Sequence, residues 1–148
     1  KNFVNADDRW ILVDNRQYRK YDRWEEPVTT ENAEYVESDI MDYHEPADIV
    51  VCFNVLYRVG KPLELLVHLR KLTKKVLYLK TFYDKTGEDW NFYDSKVNPA
   101  HPHKPTAETI FYRPTIEGLR KGLFQASFDN VDIFPCGDEI MAVCVLGE

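Results

Sequence analysis

Asp48-Ile-Val-Val-Cys-Phe53 is an apolar run that opens the stretch on which the fold depends, Ala47 to Thr81. A Leu-rich segment from Pro62 to Thr73 follows after a short polar elbow, and a second apolar run, Val76-Leu-Tyr-Leu79, comes next. Apolar strands on either side of an amphipathic helix are typical of a parallel β-α-β unit, whose strands are covered on both faces. The pattern predicts an α/β domain with its ligand at the carboxyl edge of a sheet.

Two apolar runs upstream each lead into an aspartate. They are Trp10-Ile-Leu-Val-Asp14 and Glu34-Tyr-Val-Glu-Ser-Asp-Ile40, in which Asp39 is the acidic residue near the end. Both are predicted to be strands. Aspartates that follow neighbouring parallel strands lie at one edge of a sheet, so we expect Asp14 and Asp39 to face one cleft.

The last third of the chain has the pattern of a helix followed by a β-hairpin. The helix is expected to open at Tyr112-Arg-Pro-Thr-Ile-Glu-Gly-Leu119, with Thr115 as a cap, and to close at Gln125-Ala-Ser-Phe128. The strands Asp129–Phe134 and Glu139–Leu146 are separated by Pro135-Cys-Gly-Asp138, which is turn chemistry. This order predicts an antiparallel C-terminal hairpin.

Helical spacing separates a core face from a solvent face in the Leu-rich segment. Leu65, Leu69 and Leu72 fall at positions i, i+4 and i+7, with Leu66 beside them, so they are expected in the core. His68 is expected on the solvent face of the same helix.

Length and composition limit the classes of protein to which the chain can belong. At 148 residues with a net charge of −6, it is expected to be one domain that does not attract the nucleic-acid backbone. It has neither a signal-peptide pattern nor a long apolar run, so membrane insertion and secretion lack support. Cys52, Cys136 and Cys144 are odd in number and widely spaced, which favours reduced thiols in the cytoplasm.

Basic and aromatic residues alternate between Asn15 and Trp24. We interpret this segment as an amphipathic surface helix or loop that turns Tyr18, Tyr21 and Trp24 inward. An RNA-contacting patch is the alternative, because interleaved basic and aromatic residues also occur in such surfaces.

The longest stretch without a periodic pattern runs from Tyr83 to Phe111 and is rich in aromatic residues, among them Trp90, Phe92 and Tyr93. Loops of this length in compact domains are usually binding lids or disordered, and the aromatic content argues against disorder. A lid-like insertion is therefore expected at about residues 84–111. His101 and His103 form a His-x-His pair, but the sequence supplies no third ligand nearby, so no metal is predicted.

The order of these motifs resembles that of the class I S-adenosylmethionine-dependent methyltransferases, over nearly the whole chain. The family's later motifs are a strand ending in Asp, an "Asp-Ile-Val-Val" strand, a "Val-Leu-x-x-Val" elbow, a "Pro-Leu" helix start and a final "Ala-Gly-Phe". Their counterparts are Ser38-Asp39-Ile40, Asp48-Ile-Val-Val51, Val55-Leu-Tyr-Arg-Val59, Pro62-Leu63 and Ala126-Ser-Phe128. The resemblance implies an α/β fold of three layers, Rossmann-like, with a mostly parallel sheet and a C-terminal antiparallel hairpin.

The chain departs from this family at three places. Tyr57-Arg58 stands where many members have Glu-His, and Ser127 stands where Gly is usual, which affects only a turn. The family's glycine-rich loop has no counterpart, since the six glycines are at positions 60, 87, 118, 122, 137 and 147.

Asp14 lies 25 residues before Asp39, a gap that fits the family's second strand. In this register the first strand and its glycine loop are expected before residue 1, and a protein beginning at Lys1 is expected to bind S-adenosylhomocysteine weakly. Two other interpretations remain open. A reduced sheet pairs the second and fourth strands directly, or Trp10 to Asp14 is the first strand with a degenerate loop.

The resemblance also implies roles for individual residues. Asp14 would accept hydrogen bonds from the ribose hydroxyls of S-adenosylmethionine, Asp39 from the adenine amine, and Ile40 would pack on the adenine. The methionine portion would face Phe53 and Asn54. The expected cofactor-binding residues are Asp14, Asn15, Asp39, Ile40, Phe53 and Asn54, and the expected substrate-binding residues are Tyr57, Tyr83, Trp90, Tyr93 and His101.

The leading hypothesis for function is methyl transfer to a small-molecule or nucleotide-like acceptor, with no catalytic base identified. The alternative is a catalytically inactive methyltransferase-like domain that acts as a binding or interaction subunit. A third interpretation is another doubly wound nucleotide-binding domain, because a fold alone does not fix function.

Overall fold

A computed structural model of the chain describes residues 8–14, 32–94 and 110–147. The contacts of the chain divide it into two compact units, Lys1–His44 and Glu45–Glu148. The expected surface segment between Asn15 and Trp24 lies outside the described residues. The single domain expected from the sequence stays a prediction.

The first unit contains a parallel pair of strands, β1 (Trp10–Asp14) and β2 (Ala33–Glu37). Trp10 is paired with Ala33 and Asp14 with Glu37, so the two strands end together. A short 3-10 helix, Ile40–Asp42, follows β2. The prediction of a strand over Trp10–Asp14 is confirmed, and the second strand is shorter than expected because the chain turns into the 3-10 helix at Ile40.

The second unit begins with the predicted β-α-β unit. It comprises β3 (Ala47–Phe53), a 3-10 helix (Leu56–Arg58), α1 (Pro62–Leu72) and β4 (Thr73–Phe82). β3 and β4 are parallel. Pro62 lies in the first turn of α1, where its missing N–H costs nothing. The predicted boundaries hold to within one residue at both ends of the helix.

The remaining elements of this unit are β5 (Trp90–Asp94), β6 (Ile110–Pro114), α2 (Ile116–Gln125), β7 (Asn130–Cys136) and β8 (Glu139–Val145). β5 and β6 form a separate antiparallel pair. β7 and β8 are antiparallel neighbours, and Cys136 is paired with Glu139. The four-stranded sheet has the order β3-β4-β8-β7, with β8 antiparallel to both neighbours. This sheet is mixed, so a mostly parallel sheet is not confirmed.

The main core lies where α1 and α2 pack on one face of the four-stranded sheet. Its buried side chains include Leu66, Leu77, Leu79, Leu123 and Phe128. The predicted core leucines of α1 are buried as expected. His68 was expected on the solvent face, but only 7% of it is exposed. That prediction was wrong because α1 packs against both β4 and α2, so its buried face is wider than one stripe.

The opposite face of the same sheet carries exposed apolar side chains, namely Ile49, Val51, Phe53, Tyr78, Phe134 and Val145. Of the helices described in residues 45–94 and 110–147, neither α1 nor α2 lies on this face. The expectation that both faces of the β3 strand are covered is therefore met on one face only, and the third layer of the fold stays a prediction.

Two predictions about the chain after β4 need correction. Helix α2 begins at Ile116 and not at Tyr112, because Tyr112 to Pro114 belong to β6 and pair with β5. It ends at Gln125, three residues before Phe128. The stretch from Tyr83 to Phe111 is not all irregular, since β5 and the start of β6 lie within it. Thr115 caps α2 as predicted, and its Oγ1 accepts a hydrogen bond from the Gly118 N–H at 3.0 Å.

All three thiols are free, with Cys52 and Cys144 buried and Cys136 exposed at the end of β7. Burial raises the pKa of Cys52 and that of Cys144 to about 12, so neither forms a thiolate near neutral pH. No helix in the described part of the chain is long and apolar enough to span a membrane.

Candidate functional site

The first unit places two predicted cofactor residues at the ends of its strands. Asp14 is the last residue of β1, and Asp39 lies two residues beyond the end of β2. The Asp39 Oδ1 accepts a hydrogen bond from the Met41 N–H at 2.9 Å and so caps the 3-10 helix that begins at Ile40. A carboxylate has further acceptor capacity after one such bond, and Asp39 is exposed. Asn15 lies outside the described residues.

In the second unit, the carboxyl end of β3 turns its last residues outward. Phe53 is 42% exposed, and Asn54 has a φ of 60°, in the left-handed region that asparagine tolerates better than most residues. The Asn54 N–H donates to the Lys80 carbonyl at 2.9 Å, which fixes this turn against β4. The Lys80 ammonium lies 5.2 Å from the centre of the Phe53 ring and 3.3 Å from the Glu139 carboxylate. A backbone outlier and an exposed aromatic ring at a strand end are features of ligand sites.

Tyr57 lies in the 3-10 helix after β3 and is buried, with 7% exposure. Its ring meets that of Phe82 edge-on, with centres 5.0 Å apart. Its hydroxyl oxygen accepts a hydrogen bond from the Arg58 Nε at 2.9 Å. Tyr57 therefore packs against the last residue of β4.

Four side chains meet just beyond the carboxyl end of β4, and we call them the Arg113 cluster: Phe82, Asp84, Tyr93 and Arg113. The guanidinium carbon of Arg113 lies 5.5 Å from the ring centre of Phe82 and 5.4 Å from that of Tyr93. The Tyr93 hydroxyl donates to Asp84 Oδ2 at 2.5 Å, and Asp84 Oδ1 lies 3.9 Å from Arg113 Nη1. The hydrogen bond to the Asp84 carboxylate raises the pKa of Tyr93, so this phenol stays protonated at neutral pH.

Trp90 lies against α2, apart from the Arg113 cluster. Its Nε1 donates to the Gly118 carbonyl at 3.2 Å, and its ring passes close to Gly122. This position holds β5 on the helix. Tyr83 is tied to the β7–β8 turn, since its N–H points to the Asp138 carbonyl at 3.5 Å.

Of the predicted substrate-binding residues, the structure brings Tyr57 and Tyr93 together through Phe82 and Arg113. Trp90 lies elsewhere, and His101 lies outside the described residues. The sequence reasoning missed Arg113, which was assigned to a helix start. A signal for it was present, because Arg113 precedes Pro114, and a residue before proline is biased toward extended conformation.

Known proteins resemble this chain in fold. No protein-family model matches the chain. The chain is similar to a solved 1,6-didemethyltoxoflavin-N1-methyltransferase from Burkholderia thailandensis, with bound S-adenosylhomocysteine, at a TM-score of 0.65 and 14% identity. That match covers 93% of this chain and 61% of the other. The chain has the fold of class I methyltransferases.

Other methyltransferase structures share this fold. Human N-acetylserotonin methyltransferase, solved with S-adenosylmethionine, matches at a TM-score of 0.63 and 14% identity, over 95% of this chain and 41% of the other. The N-terminal domain of EvdMO1, solved with S-adenosylhomocysteine, matches at a TM-score of 0.59 and 20% identity, over 78% and 54%.

One curated relative matches by sequence. It is a tRNA U34 carboxymethyltransferase from Campylobacter lari, 26% identical over 98 residues, which are 65% of this chain and 32% of the relative. The chain thus spans about a third of the length of this relative.

Proposed function

We propose that this chain belongs to an S-adenosylmethionine-dependent methyltransferase. The observation that carries the proposal is the strand order β3-β4-β8-β7, in which an antiparallel strand lies next to a parallel pair. Proteins of the same fold have been crystallised with S-adenosylmethionine or with its product, S-adenosylhomocysteine. When bound, this cofactor supplies a sulfonium methyl group to a nucleophile.

The proposal assigns the adenosine portion to the first unit. Asp14 would accept from the ribose hydroxyls and Asp39 from the adenine amine, with Ile40 packing on the adenine. The exposed carboxylate of Asp39 supports this role, since its bond to Met41 leaves acceptor capacity. Asn15 follows Asp14 directly and would join it at the cofactor.

Phe53 and Asn54, in the second unit, would bind the methionine portion. Their support is their position at the end of β3, where Phe53 lies on the exposed face of the sheet and the Asn54 side chain is also exposed. The main task of these residues would be to orient the cofactor, because in-line displacement at carbon depends on position more than on covalent help from the protein.

The acceptor in this proposal is a small molecule or a nucleotide-like compound. Small acceptors are named for the related toxoflavin and N-acetylserotonin enzymes. The tRNA relative favours a nucleotide-like acceptor, whereas the net charge of −6 disfavours contact with a long phosphate backbone. The proposed acceptor residues are Tyr57, Tyr83, Trp90, Tyr93 and His101.

The stretch at about 84–111 would act as a lid over the acceptor. Asp94 and Ile110 are paired across β5 and β6, so the lid is best tested by replacing residues 95–109 with a two-residue Asn-Gly turn. We expect this change to keep the fold and to weaken the binding of the acceptor more than that of S-adenosylhomocysteine. A wider deletion that includes Trp90 would remove the bond between β5 and α2 and would confuse the result.

A binding titration tests the proposed function. In the intact protein, Asp39→Asn keeps a side-chain oxygen for the Met41 N–H but removes the charge and one acceptor. We expect about tenfold weaker binding of S-adenosylhomocysteine, because a hydrogen bond to a charged group contributes on the order of 1.5 kcal/mol or more. Asp132→Asn, at an exposed carboxylate on β7, is the matched control and should bind normally.

Equal affinity in both variants would remove Asp39 from the cofactor site. Failure of the unchanged protein to bind S-adenosylhomocysteine at all would instead favour the alternative, an inactive methyltransferase-like interaction subunit.

A further inference from the structure

Arg113 is surrounded by described groups that leave its hydrogen-bond donors unused. Two aromatic rings, Phe82 and Tyr93, flank its guanidinium at 5.5 and 5.4 Å. Its nearest described carboxylate oxygen, on Asp84, is 3.9 Å away, which is too far for a hydrogen bond. Among residues 8–14, 32–94 and 110–147, no acceptor lies within hydrogen-bond distance of the guanidinium.

Asp84 is engaged from the other side. It accepts a bond from the Tyr93 hydroxyl at 2.5 Å, and its side chain is 18% exposed, whereas the Arg113 side chain is 45% exposed. Asp84 thus supplies a countercharge that keeps Arg113 near the rings without occupying its N–H groups. A guanidinium has five donors in a planar fork, which matches the two oxygens of a carboxylate or phosphate.

Arg113 also lies near the proposed methyl-donor end of the sheet. Phe53 of β3 is paired with Lys80 of β4. Phe82 lies two residues after Lys80 on β4 and therefore faces the same side of the sheet. Strand geometry puts Phe53 and Phe82 roughly 8 Å apart at their Cα atoms. A ligand bound to Arg113 would therefore be within reach of a group held by Phe53 and Asn54.

We infer that Arg113 binds an oxyanion of the methyl acceptor, a carboxylate or a phosphate, through guanidinium donors that no described residue occupies. That the bound anion belongs to a methyl acceptor rests on the proposed function, but the anion site itself does not depend on methyl transfer. The partly exposed ring of Tyr93 would contact the body of the acceptor, and Asp84 would hold both Tyr93 and Arg113 in position. Part of the guanidinium's hydration is already replaced by the aromatic rings, which lowers the cost of binding an anion there.

Three probes of similar size test the inference on the intact protein: benzoate, phenyl phosphate and benzamide. Benzamide has the shape of benzoate but no charge. Dissociation constants are measured by ligand-observed NMR, with and without saturating S-adenosylhomocysteine. We expect the dissociation constant of benzoate or of phenyl phosphate to be at least about tenfold lower than that of benzamide. Charge-assisted hydrogen bonds are stronger than neutral ones by a free energy that corresponds to about this factor. Which of the two binds better identifies the carboxylate or the phosphate as the acceptor's oxyanion.

Variants then assign the preference to Arg113. Arg113→Met should abolish the advantage of the anion, Arg113→Lys should retain part of it, and Arg120→Met should leave it unchanged. Arg120 is a suitable control because Glu117, on the same helix α2, is the one side chain with which its guanidinium pairs among the residues that the structure describes. Should Arg113→Met fail to fold, the unchanged protein and Arg113→Lys decide the question.

Equal binding of the anions and benzamide, or an anion preference that survives in Arg113→Met, would overturn the inference. The two proposals can fail separately. Loss of S-adenosylhomocysteine binding with an intact anion preference would contradict only the methyltransferase function, whereas the reverse result would contradict only the anion site.

Discussion

The stability that Tyr93 contributes to the Arg113 cluster depends on pH. Its hydrogen bond to Asp84 raises its pKa above the ordinary value of 10.0, and desolvation adds to the shift. A group with a raised pKa in the folded state contributes its stability below the unfolded pKa and loses it as pH rises through the folded pKa. We therefore expect Tyr93→Phe to be less stable than the unchanged protein at neutral pH, with a difference that shrinks above pH 10.0.

Urea denaturation at several pH values measures this difference, and Tyr112→Phe on the neighbouring strand β6 is the control. A difference that stays constant through the alkaline range would mean that the Tyr93–Asp84 bond does not form.

Ser127 occupies a position that suits glycine. It follows the end of α2 with a φ of 69°, while the Phe128 N–H donates to the Leu123 carbonyl and the Ser127 N–H to the Phe124 carbonyl. This pattern is a Schellman motif with serine at its left-handed residue. The left-handed conformation costs a non-glycine residue about 1–2 kcal/mol, and glycine's extra freedom in the unfolded chain costs about 0.5–1 kcal/mol.

The first cost is larger, so we expect Ser127→Gly to raise the free energy of unfolding by about 0.5–1 kcal/mol. Chemical denaturation measures the change. Ser127→Ala keeps the side-chain Cβ and should bring no gain, and a gain of equal size in both variants would contradict the explanation.

At the residue scale, the sequence predicts side chains that follow strong local patterns and misses those that depend on distant partners. Thr115 was predicted as a cap because its position before an apolar helical run is a local signal. The capping bond of Asp39 is local too, whereas its proposed role at the cofactor stays a prediction. Arg113 owes its position to Phe82 and Asp84, roughly thirty residues earlier in the chain, and no local pattern reports such a contact.

At the element scale, the β5–β6 pair is attached to α2 at a point of close approach. A Cβ on Gly118 would lie 1.8 Å from the backbone oxygen of Asp89, and the Gly118 carbonyl accepts the Trp90 indole N–H. We expect Gly118→Ala to push β5 away from the helix and to destabilise the protein by about 1–3 kcal/mol, as overpacking does.

Gly60→Ala is the control, since no atom of the described residues lies within 4 Å of its Cβ position. Urea denaturation compares the two, and the fluorescence of Trp90, measured in proteins with Trp10 and Trp24 replaced by Phe, reports whether β5 has moved. Equal stability of the two variants would show that the approach of β5 to α2 is looser than the structure has it.

Among the helices and strands, those with strong local patterns were predicted from the sequence and those with distant partners were not. The bounds of β3 and α1 were predicted to within one residue, because the apolar run and the leucine spacing are strong, whereas β4 extends three residues beyond the predicted run at each end. β5 and β6 were missed because each has five residues and they pair across a long separation in sequence. Short strands with a distant partner carry a weak local signal.

At the scale of the whole molecule, the four-stranded sheet is covered by α1 and α2 on one face and exposes apolar side chains on the other. The sequence predicted apolar strands and an α/β fold, and the fold is confirmed by the comparisons. The strand order arises from pairing between distant parts of the chain. For this reason the antiparallel pairing of β8 with β4 could be expected only from the resemblance to a family.

The central claim is that the protein binds the methyl-donor cofactor, and calorimetric titration of the intact protein with S-adenosylhomocysteine tests it most directly. We expect weak but saturable binding of one molecule per chain, with neither NAD nor ATP able to compete. Binding of NAD that S-adenosylhomocysteine cannot displace would indicate a different doubly wound nucleotide-binding domain. The absence of any heat of binding with S-adenosylhomocysteine, in a protein that is folded by its urea denaturation curve, would contradict the claim.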